Sequence, residues 1–426
     1  MGIEKTIPHP PPDHESPASG CAHGGGDRDD LVGRCSTVHG PIISRMSQAS
    51  DPTIRLLRDL VAIDSVNPTL VPGARGEAEV ARRLAEELGA LGLRVEVTEV
   101  APGRPNVVGT LEGRQPGRSL MLCGHTDTVG VAGMSRPFDP EVRDGRLYGR
   151  GAQDMKGGVA AMVGAARRVA ESGGLERGRL IVAAVIDEEH ASLGADALVA
   201  TRRADAAVVT EPTGLDIAVA HKGFQWIAVE TRGRAAHGSR PQDGRDAILR
   251  MGRVLSRLEA LDAKLERGAR HPLLGSASLH ASIIDGGEEL SSYPARSSLQ
   301  FERRTLPGES SDVGLSEAAA ILDAIRLEDP EFDANAQMVF GRDAYEIDPA
   351  SPLPAALTRA AAAVGHVPER VGMTFWTDAA ILAAAGIPAV LFGPGGAGLH
   401  SREEYVLIDD VCRCRDVLVE LANAFG

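Results

Sequence analysis

The chain has 426 residues, of which 43% are hydrophobic, 24% charged and only 3% aromatic, so its length allows two globular domains with mainly aliphatic cores. A formal net charge of -14 argues against nucleic acid or an anionic membrane surface as a partner. The sequence shows no membrane-spanning apolar run, no secretory signal and, with five scattered cysteines, no disulfide framework. We therefore expect a cytoplasmic protein.

The first 50 residues have few large apolar side chains, as in the stretches PHPPPDH and GCAHGGGDRDD. Such a segment cannot bury enough surface to offset its chain entropy, so residues 1–50 are predicted to be a disordered extension. Met46 is an alternative start of the protein. A metal site in this segment is disfavoured because the spacing of its candidate ligands matches no zinc-finger pattern: Cys21, His23, Cys35 and His39.

From Asp51 onward the sequence predicts regular elements, beginning with Asp51 as a helix N-cap and Pro52 at the first helical position. Apolar spacing predicts helices over 54–61 and 80–91, and alternation predicts a strand over 93–97. Short apolar strands then alternate with helices: SLMLC, a helix from Gly157, LIVAAVI, a helix from Gly194, and AAVVT. This order predicts an α/β sheet covered by helices on both faces.

The pattern changes near Lys222, where FQWIAVETRG predicts a half-exposed strand. The next elements have the β-α-β-β-α-β order of a small ferredoxin-like α+β domain: that strand, a helix over 246–265, strands over 278–285 and 297–303, a helix over 316–326 and a strand over 335–340. The α/β pattern then resumes with a helix over 353–364, the strand AVLFG and a closing helix from Asp409. We therefore predict a discontinuous catalytic domain (51–222 and 341–426) interrupted by a second domain (223–340).

Side chains that can bind metals stand where predicted strands end or in glycine-containing loops. The carboxyl ends of strands in an open α/β sheet meet at one edge, where ligand sites form. Imidazole and carboxylate together suit two borderline-soft cations, zinc above all. The candidates are His125 and Asp127 after the first apolar strand, Asp154 before a helix, Glu188 and Glu189 after the second strand, Glu211 after the third, and His400 in the loop GPGGAGLHS.

Each of these residues taken alone also has a purely structural explanation. His125 could be a hydrogen-bonded histidine at a strand end, Asp154 a helix N-cap, and the paired glutamates a solvated turn. Glu211 could simply end a strand, and His400 could lie on the surface. Their joint occurrence favours a metal site, because adjacent carboxylates after a buried strand repel each other unless a cation or a proton lies between them.

The motifs GHTDTV, YGRGAQDMKGG, DEEHAS, TEPT and GPGGAGLHSREE resemble those of the metallopeptidase family that includes acetylornithine deacetylase, succinyl-diaminopimelate desuccinylase, aminoacylase and glutamate carboxypeptidase. The resemblance implies a zinc-aminopeptidase-like catalytic domain, with a mixed central sheet flanked by helices, and two divalent metal ions bridged by Asp154. Zinc is expected, with cobalt or manganese as alternatives. The resemblance also implies the remaining roles: His125 and Glu211 complete one metal site, Glu189 and His400 the other, Asp127 orients the imidazole of His125, and Glu188 is the general base.

Two motifs in the predicted inserted domain extend the resemblance. RGRAAHGSRPQDGRDAI resembles the family's dimerisation motif, which implies a homodimer in which His237 reaches the partner subunit's active site and donates to the developing oxyanion. FERRTLPGE resembles the strand whose arginine binds the substrate carboxylate, which implies that role for Arg304, although Glu302 stands where the family usually has Asp. Lys222 is a further candidate for the pocket. A hydrogen-bonded loop histidine and a surface arginine are the alternative interpretations of His237 and Arg304.

Together these residues predict metal-assisted hydrolysis of an amide bond, in which Glu188 moves a proton from water to the leaving amine. The first hypothesis is an N-acyl amino acid amidohydrolase of the acetylornithine deacetylase or succinyl-diaminopimelate desuccinylase type, which the glutamate in TEPT favours. The alternative is a metallo-exopeptidase of the carboxypeptidase or dipeptidase type with the same mechanism. A catalytically inactive metal-binding protein is disfavoured, because the base and all five ligand positions are filled.

Overall fold

The computed structural model describes residues 50–131 and 133–426. The predictions for the N-terminal extension, its alternative metal site and the alternative start at Met46 lie outside the described residues. The first described helix begins as predicted, because the side chain of Asp51 accepts a hydrogen bond from the backbone N–H of Thr53 and Pro52 occupies the first turn.

Nine strands form one mixed sheet: β1 (Arg94–Ala101), β2 (Arg104–Glu112), β3 (Gln115–His125), β6 (Arg177–Val185), β7 (Ala206–Val209), β8 (Ile217–His221), β15 (Tyr345–Glu346), β16 (Arg370–Met373) and β17 (Ala389–Leu391). Their spatial order is β1-β2-β6-β3-β7-β17-β8-β15, with β16 beside β8. Strands β6, β3, β7 and β17 run parallel to one another. Their carboxyl ends therefore lie at one edge of the sheet.

Helices cover this sheet on both faces, as the apolar strands predict. Along β3, Leu120 and Leu122 face one hydrophobic core, whereas Met121 and Cys123 face the other. The first core is built against α1 (Pro52–Ala62), α2 (Ala78–Ala90), α3 (Gly157–Glu171), α7 (Leu353–Ala363) and α9 (Ile408–Phe425). The second is built against α4 (Leu193–Thr201) and α8 (Ala379–Ala384). A strand buried on both faces has no polar side to expose, which explains its continuous apolar sequence.

A second, four-stranded antiparallel sheet is formed by β9 (Gly223–Arg232), β12 (Ser278–Gly286), β13 (Arg296–Thr305) and β14 (Asp333–Arg342). Its spatial order is β12-β13-β9-β14. Two helices, α5 (Ala247–Arg267) and α6 (Val313–Glu328), pack on one face against alternate residues such as Ile227 and Val229. The β-α-β-β-α-β order predicted from sequence is therefore confirmed. A two-stranded hairpin between α5 and β12, formed by β10 (Arg270–His271) and β11 (Gly275–Ser276), was not predicted.

A small third sheet joins two distant parts of the chain. It contains β4 (Glu141–Arg143), β5 (Arg146–Tyr148), β18 (Gly396–Ala397) and β19 (Tyr405–Leu407) in the order β18-β19-β5-β4. Tyr405 pairs with Tyr148 across β19 and β5. This sheet therefore brings the segment that precedes Asp154 against the segment that contains His400.

The predicted fold class is confirmed: the protein is mixed α/β, with a central mixed sheet flanked by helices. The domain boundaries (51–222, 223–340 and 341–426) and the dimerisation role of the inserted part stay predictions. Within residues 50–131 and 133–426, no helix is both long and apolar enough to cross a bilayer.

Candidate dinuclear metal centre

Parallel strand ends carry most of the predicted ligands. His125 is the last residue of β3, and Val185, which ends β6, is paired with it. Asp187, Glu188 and Glu189 follow β6, and Glu211 lies two residues after the end of β7. Because these strands are parallel neighbours, their terminal side chains converge at one edge, as the sequence predicts.

Asp154 and His400 reach the same edge from loops. Asp154 lies in a short irregular turn, Ala152–Lys156, where its own backbone is not helical (φ −116°, ψ 97°), and this turn follows Gly151 in the left-handed conformation (φ 77°). A Cβ atom on Gly151 would lie 2.6 Å from Cγ2 of Thr128, so only glycine fits here without displacing a neighbour. His400 follows the short strand β18 and itself has a positive φ of 56°.

The carboxylate of Asp154 lies between two imidazoles. Its Oδ1 is 3.0 Å from Nε2 of His125, and its Oδ2 is 3.3 Å from Nε2 of His400. The same Nε2 of His400 is 3.1 Å from Oε2 of Glu189. One carboxylate with a separate metal-ligating group at each oxygen is the arrangement that a bridging ligand requires.

Two groups of potential ligands share His125, and within each group the ligand atoms lie within 4.8 Å of one another: His125 with Asp154 and Glu189, and His125 with Glu188 and Glu211. Oε2 of Glu188 and Oε1 of Glu211 are each 4.0 Å from Nε2 of His125. Oε1 of Glu189 is buried and has no hydrogen-bond partner among the described residues. A buried carboxylate oxygen without a partner is costly, and a cation would satisfy it, so this donor set fits a pair of divalent metal ions.

The raised pKa values of three carboxylates at the centre also indicate that positive charge is required there. Burial, followed by repulsion from neighbouring carboxylates, raises the pKa of Glu188 and of Glu211 well above the usual range. Burial and the nearby Asp154 raise the pKa of Glu189 to about 7. Carboxylates crowded into a buried site can be ionised together only if positive charge lies among them.

The two histidines partly supply that charge in the metal-free chain. Hydrogen bonds to Asp154 and Glu189 raise the pKa of His400 to about 10. Burial opposes protonation of His125, but Asp127 and Asp154 still raise its pKa well above 6.5. Burial also opposes ionisation of Asp154, yet its bonds to both imidazoles hold its pKa below the usual range. Metal binding would displace these imidazole protons, so metal affinity should rise with pH.

Asp127 supports the centre from behind. Nδ1 of His125 lies 3.1 Å from the backbone oxygen of Asp127 and 3.5 Å from its Oδ1. The same carboxylate accepts hydrogen bonds from the backbone N–H groups of Glu188 (3.1 Å) and Glu189 (3.2 Å) and from Nδ2 of Asn67 (2.8 Å). Asp127 therefore sets the ring orientation of one candidate ligand and the backbone position of two more, as expected of a group that supports metal ligands.

A second layer of buried polar residues behind Asp127 was not predicted. Nδ2 of Asn67 donates to both Asp127 and Asp187, and Arg104 donates to Asp187 and forms a bidentate ion pair with Glu77. Asn67 and Glu77 precede the first apolar strand, in a region where the sequence shows only helical periodicity and a loop. Only the tertiary fold reveals that they contact the site.

Glu404 was also missed, although it holds the loop that contains Asp154. Its Oε1 accepts hydrogen bonds from the backbone N–H groups of Gln153 (2.9 Å) and Asp154 (3.1 Å). Its Oε2 accepts from the N–H of Gly151 (3.0 Å) and from Nη1 of Arg150 (2.6 Å). The side chains of Glu404 and Arg150 are each only 1% exposed. In the sequence Glu404 stands in the charged run SREE, which is typical of a solvated surface.

The two predicted substrate-binding residues, Arg304 and Lys222, occupy different environments. Arg304 lines a cavity of about 180 Å³ together with Glu188, Glu189 and His400, and its Nε donates to Oε1 of Glu302 at 2.5 Å. The ammonium of Lys222 instead donates to the backbone oxygen of Ser276, and Lys222 is not among the residues that line this cavity.

His237 is exposed and lies outside the cavity wall. Its Nδ1 is 2.8 Å from the hydroxyl of Ser239, and its backbone forms an isolated bridge with Ser292. The fold thus brings the five metal-ligand candidates, Asp127, Glu188 and Arg304 together, but it does not bring His237 of the same chain to them.

Comparison with known proteins gives one consistent result. The sequence profile of peptidase family M20/M25/M40 matches residues 121–424. An acetylornithine deacetylase of Myxococcus xanthus is 32% identical over 393 residues, which are 88% of this chain and 98% of the relative. An acetylornithine deacetylase of Photorhabdus laumondii is 34% identical over 60% of this chain and 68% of the relative.

Solved structures show the same fold at lower identity. The aminopeptidase PepT of Bacillus cereus superposes with a TM-score of 0.71 at 20% identity, covering 87% of this chain and 97% of the other. A metallo-carboxypeptidase of Sulfolobus solfataricus gives 0.71 at 18%, covering 88% and 99%. The YXEP protein of Bacillus subtilis, described as a dinuclear metal-binding peptidase, gives 0.68 at 16%, covering 89% and 98%. The chain therefore belongs to peptidase family M20/M25/M40 and is a hydrolase that acts on amide bonds.

Proposed function

We propose that this protein hydrolyses the amide bond of an N-acyl amino acid by means of two divalent metal ions, with zinc expected and cobalt or manganese as alternatives. The observation that carries the proposal is the carboxylate of Asp154, held between His125 and His400 with three further carboxylates beside it. The curated relatives named acetylornithine deacetylase support a deacylase over an exopeptidase.

In this proposal, the side chains divide into metal ligands and groups that act on the substrate. Asp154 would be shared by the two ions, His125 and Glu211 would hold one of them, and Glu189 and His400 would hold the other. When bound, the two ions supply positive charge that polarises the scissile carbonyl and lowers the pKa of the attacking water. Asp127 keeps His125 in the orientation that presents Nε2 to the centre.

Glu188 is proposed as the general base. Its carboxylate lies in the wall of the cavity, 4.0 Å from the nearer nitrogen of His125, where water and a substrate carbonyl can meet. Burial raises the pKa of Glu188, and a raised pKa makes a carboxylate a better acceptor for the proton of water. Glu188 then delivers this proton to the nitrogen of the departing amine, so that the amino acid leaves as a neutral amine.

Arg304 is proposed to bind the carboxylate of the substrate. It lies on β13, across the cavity from the metal centre, and a guanidinium can hold a carboxylate through two parallel hydrogen bonds. In the free chain its Nε is engaged by Glu302, which leaves the terminal nitrogens for the substrate. Lys222 remains a weaker candidate, because its ammonium is engaged by a backbone oxygen.

The test is a hydrolysis screen with added metal. N-Acetylornithine, N-succinyl-diaminopimelate and other N-acyl amino acids are set beside dipeptides, and enzyme stripped with a chelator serves as the control. We expect metal-dependent release of the acyl group. Cleavage of dipeptides with no cleavage of N-acyl amino acids would instead identify an exopeptidase, whose two-metal mechanism would be the same.

We further propose that the protein acts as a homodimer through the inserted sheet. Strand β12 is an edge strand, and its neighbouring Ile283 and Ile284 are 60% and 56% exposed. An apolar exposed edge is a ready surface for pairing with another chain. His237 lies outside the cavity of its own chain, which agrees with a role in the partner's site.

Complementation tests the shared site. Glu188→Ala and His237→Ala are each expected to be nearly inactive, whereas co-expression of the two should restore about a quarter of the wild-type activity, because half of randomly formed dimers contain one complete site. Full activity of His237→Ala alone would contradict a role for this histidine.

The three cysteines among the described residues are free, which suits the predicted cytoplasmic location.

A further inference from the structure

The cavity beside the metal centre is lined by an unusual share of the chain's aromatic residues. The whole chain contains two tryptophans and eight phenylalanines. Both tryptophans and three of the phenylalanines line this one cavity: Phe224, Trp226, Phe340, Phe375 and Trp376. We call these five residues the aromatic wall. They come from β9, β14 and the segment before α8, and they face Glu188 and His400 across the cavity.

The geometry of the aromatic wall separates packed rings from open ones. Phe224 and Trp376 are buried, with ring centroids 6.0 Å apart in an edge-to-face arrangement. Trp226 and Phe340 are only half-buried, and their centroids lie 5.8 Å apart with the planes tilted by 48°. The first pair forms the base of the wall, and the second leaves ring surface open to a ligand.

The indole N–H groups of the aromatic wall already have hydrogen-bond acceptors within the chain. Nε1 of Trp226 donates to Oε2 of Glu302, and Nε1 of Trp376 donates to the backbone oxygen of Asp343. Both indoles therefore offer only carbon surface to the cavity. Glu302 accepts from Trp226 at one oxygen and from Arg304 at the other, so its charge is already paired with a guanidinium of the same chain.

Positive charge already covers several of the ring faces. The guanidinium of Arg304 lies 5.6 Å from the ring centre of Phe224. That of Arg342 lies 5.3 Å from the ring centre of Phe340 and 5.7 Å from that of Trp376. Aromatic faces attract cations, but these faces already hold two guanidiniums, each paired with a carboxylate: Arg304 with Glu302 and Arg342 with Asp196. A substrate with a basic side chain, such as the ammonium of ornithine, therefore gains little here.

We infer that the aromatic wall makes this enzyme select substrates that carry an aromatic ring beside the scissile amide, in preference to substrates with a basic side chain. The inference rests on the proposed function, because it takes this cavity as the substrate pocket. A cavity of about 180 Å³ is smaller than the roughly 300–1,000 Å³ of pockets for drug-sized ligands, so it suits a single ring. The ring can belong to the amino acid or to the acyl group.

The kinetic test compares four substrates with added zinc. N-Acetylphenylalanine places the ring on the amino acid, N-benzoylalanine places it on the acyl group, and N-acetylalanine and N-acetylornithine have no ring. We expect kcat/KM for one ring-bearing compound to exceed that for both ring-free compounds by about tenfold or more, and the better of the two identifies which side the wall binds. A preference for N-acetylornithine would overturn the inference and leave the proposed deacylase activity standing.

A matched pair of variants connects this preference to the wall. Phe340→Ala removes an open ring, whereas Val339→Ala truncates the neighbouring residue, which is 52% exposed and lines no part of the cavity. The ratio of kcat/KM for the preferred ring-bearing substrate to that for N-acetylalanine should fall roughly fivefold to tenfold in Phe340→Ala. Val339→Ala should keep the wild-type ratio. An equal ratio in both variants would show that the wall does not select the substrate.

A binding measurement separates this inference from the proposed function. Because both tryptophans line the cavity, their fluorescence reports its occupancy without any turnover. We expect 3-phenylpropanoate to change this emission saturably and propanoate to leave it unchanged, with weaker binding to Phe340→Ala than to Val339→Ala. No response to 3-phenylpropanoate would overturn the inference. A saturable response in an enzyme that cleaves no N-acyl amino acid would leave the ring-binding cavity in place and refute the proposed function instead.

Discussion

The two sides of the cavity differ in the contacts that hold their side chains in place. On the metal side, the candidate ligands are fixed by buried contacts to backbone groups, as Asp127 and Glu404 show. On the opposite side, the sheet of the inserted part presents half-buried rings and side chains paired with each other, such as Trp226 with Glu302. The first side is held by bonds to the main chain, whereas the open rings of the second side, Trp226 and Phe340, are held by contacts with other side chains. This difference suggests that the reaction and its selectivity reside on separate surfaces.

If the two sides are separate in this way, a change on the metal side should alter rate or metal content for every substrate. A change on the aromatic wall should alter only the ratios between substrates.

Replacement of the proposed base should have the largest effect. Glu188→Ala is expected to lower kcat by about 10²–10⁴ for all substrates, because it removes the carboxylate that is proposed to take the proton from water. Metal content, measured by elemental analysis, should stay at the wild-type value. Substantial loss of metal in this variant would show that Glu188 is a ligand, an assignment that its distance of 4.0 Å from His125 also allows.

Replacement of the proposed bridge should affect both ions together. Asp154→Asn keeps the size of the side chain but removes the charge that holds its place between two imidazoles. We expect both ions to be lost in elemental analysis, whereas Glu211→Gln should weaken mainly one. Retention of one tightly held ion in Asp154→Asn would contradict a bridging role.

Loosening the loop that contains Asp154 should have a smaller effect on the same property. In Glu404→Gln an amide N–H₂ replaces one of two oxygens that accept backbone hydrogen bonds, which leaves buried N–H groups without an acceptor. Metal affinity, measured by competition with a chelator, should fall about 10-fold to 100-fold. The adjacent exposed Glu403→Gln is the control and should bind metal as the wild type does.

An effect on stability rather than on rate or metal binding is expected behind the aromatic wall, at His221, whose ring is 6.1 Å from that of Trp376. Its Nε2 is buried without a hydrogen-bond partner among the described residues, and burial lowers its pKa to about 4. On acidification, His221 binds a proton near pH 6.5 in the unfolded chain, but only near pH 4 in the folded chain. Lowering the pH from 6.5 to 4 therefore reduces the free energy of unfolding. The loss is on the order of 3 kcal/mol by pH 4.

Urea unfolding at several values of pH measures this loss. His221→Phe should make the free energy of unfolding less dependent on pH between 4 and 6.5. His280→Gln, which removes an imidazole whose side chain is 61% exposed, is the matched control. An unchanged slope in His221→Phe would show that water reaches the interior behind the wall.

The metal side could be predicted from sequence largely because of topology. Parallel strands end at one edge, so the residues that follow them, such as His125 and Glu211, must lie near one another once the strands are identified. The ferredoxin-like order of the inserted part followed from periodicity in the same way. No sequence pattern of this kind predicts the role of Glu404, because that role depends on the direction of three backbone N–H groups some 250 residues earlier in the chain.

The aromatic wall could not be predicted for a related reason. Its members come from three segments, and the composition shows only that aromatic residues are rare, not that they cluster. Phe224 and Trp226 are two residues apart on one strand, so the sequence places them on the same face. Phe340 and Trp376 join them because of the register between β9 and β14 and the packing of the loop before α8, neither of which can be read from the sequence.

The hydrogen bonds between Glu404 and the loop at Asp154 have a consequence for how the protein is made. During synthesis His125, Glu189 and Glu211 emerge first, but the carboxylate of Asp154, the proposed bridge, lacks its support until residue 404 has been added. A nascent chain therefore cannot hold a pair of cations in the final geometry. Loading with metal must follow release of nearly the whole polypeptide from the ribosome, which keeps a hydrolytic centre inactive while its own chain is still unfolded.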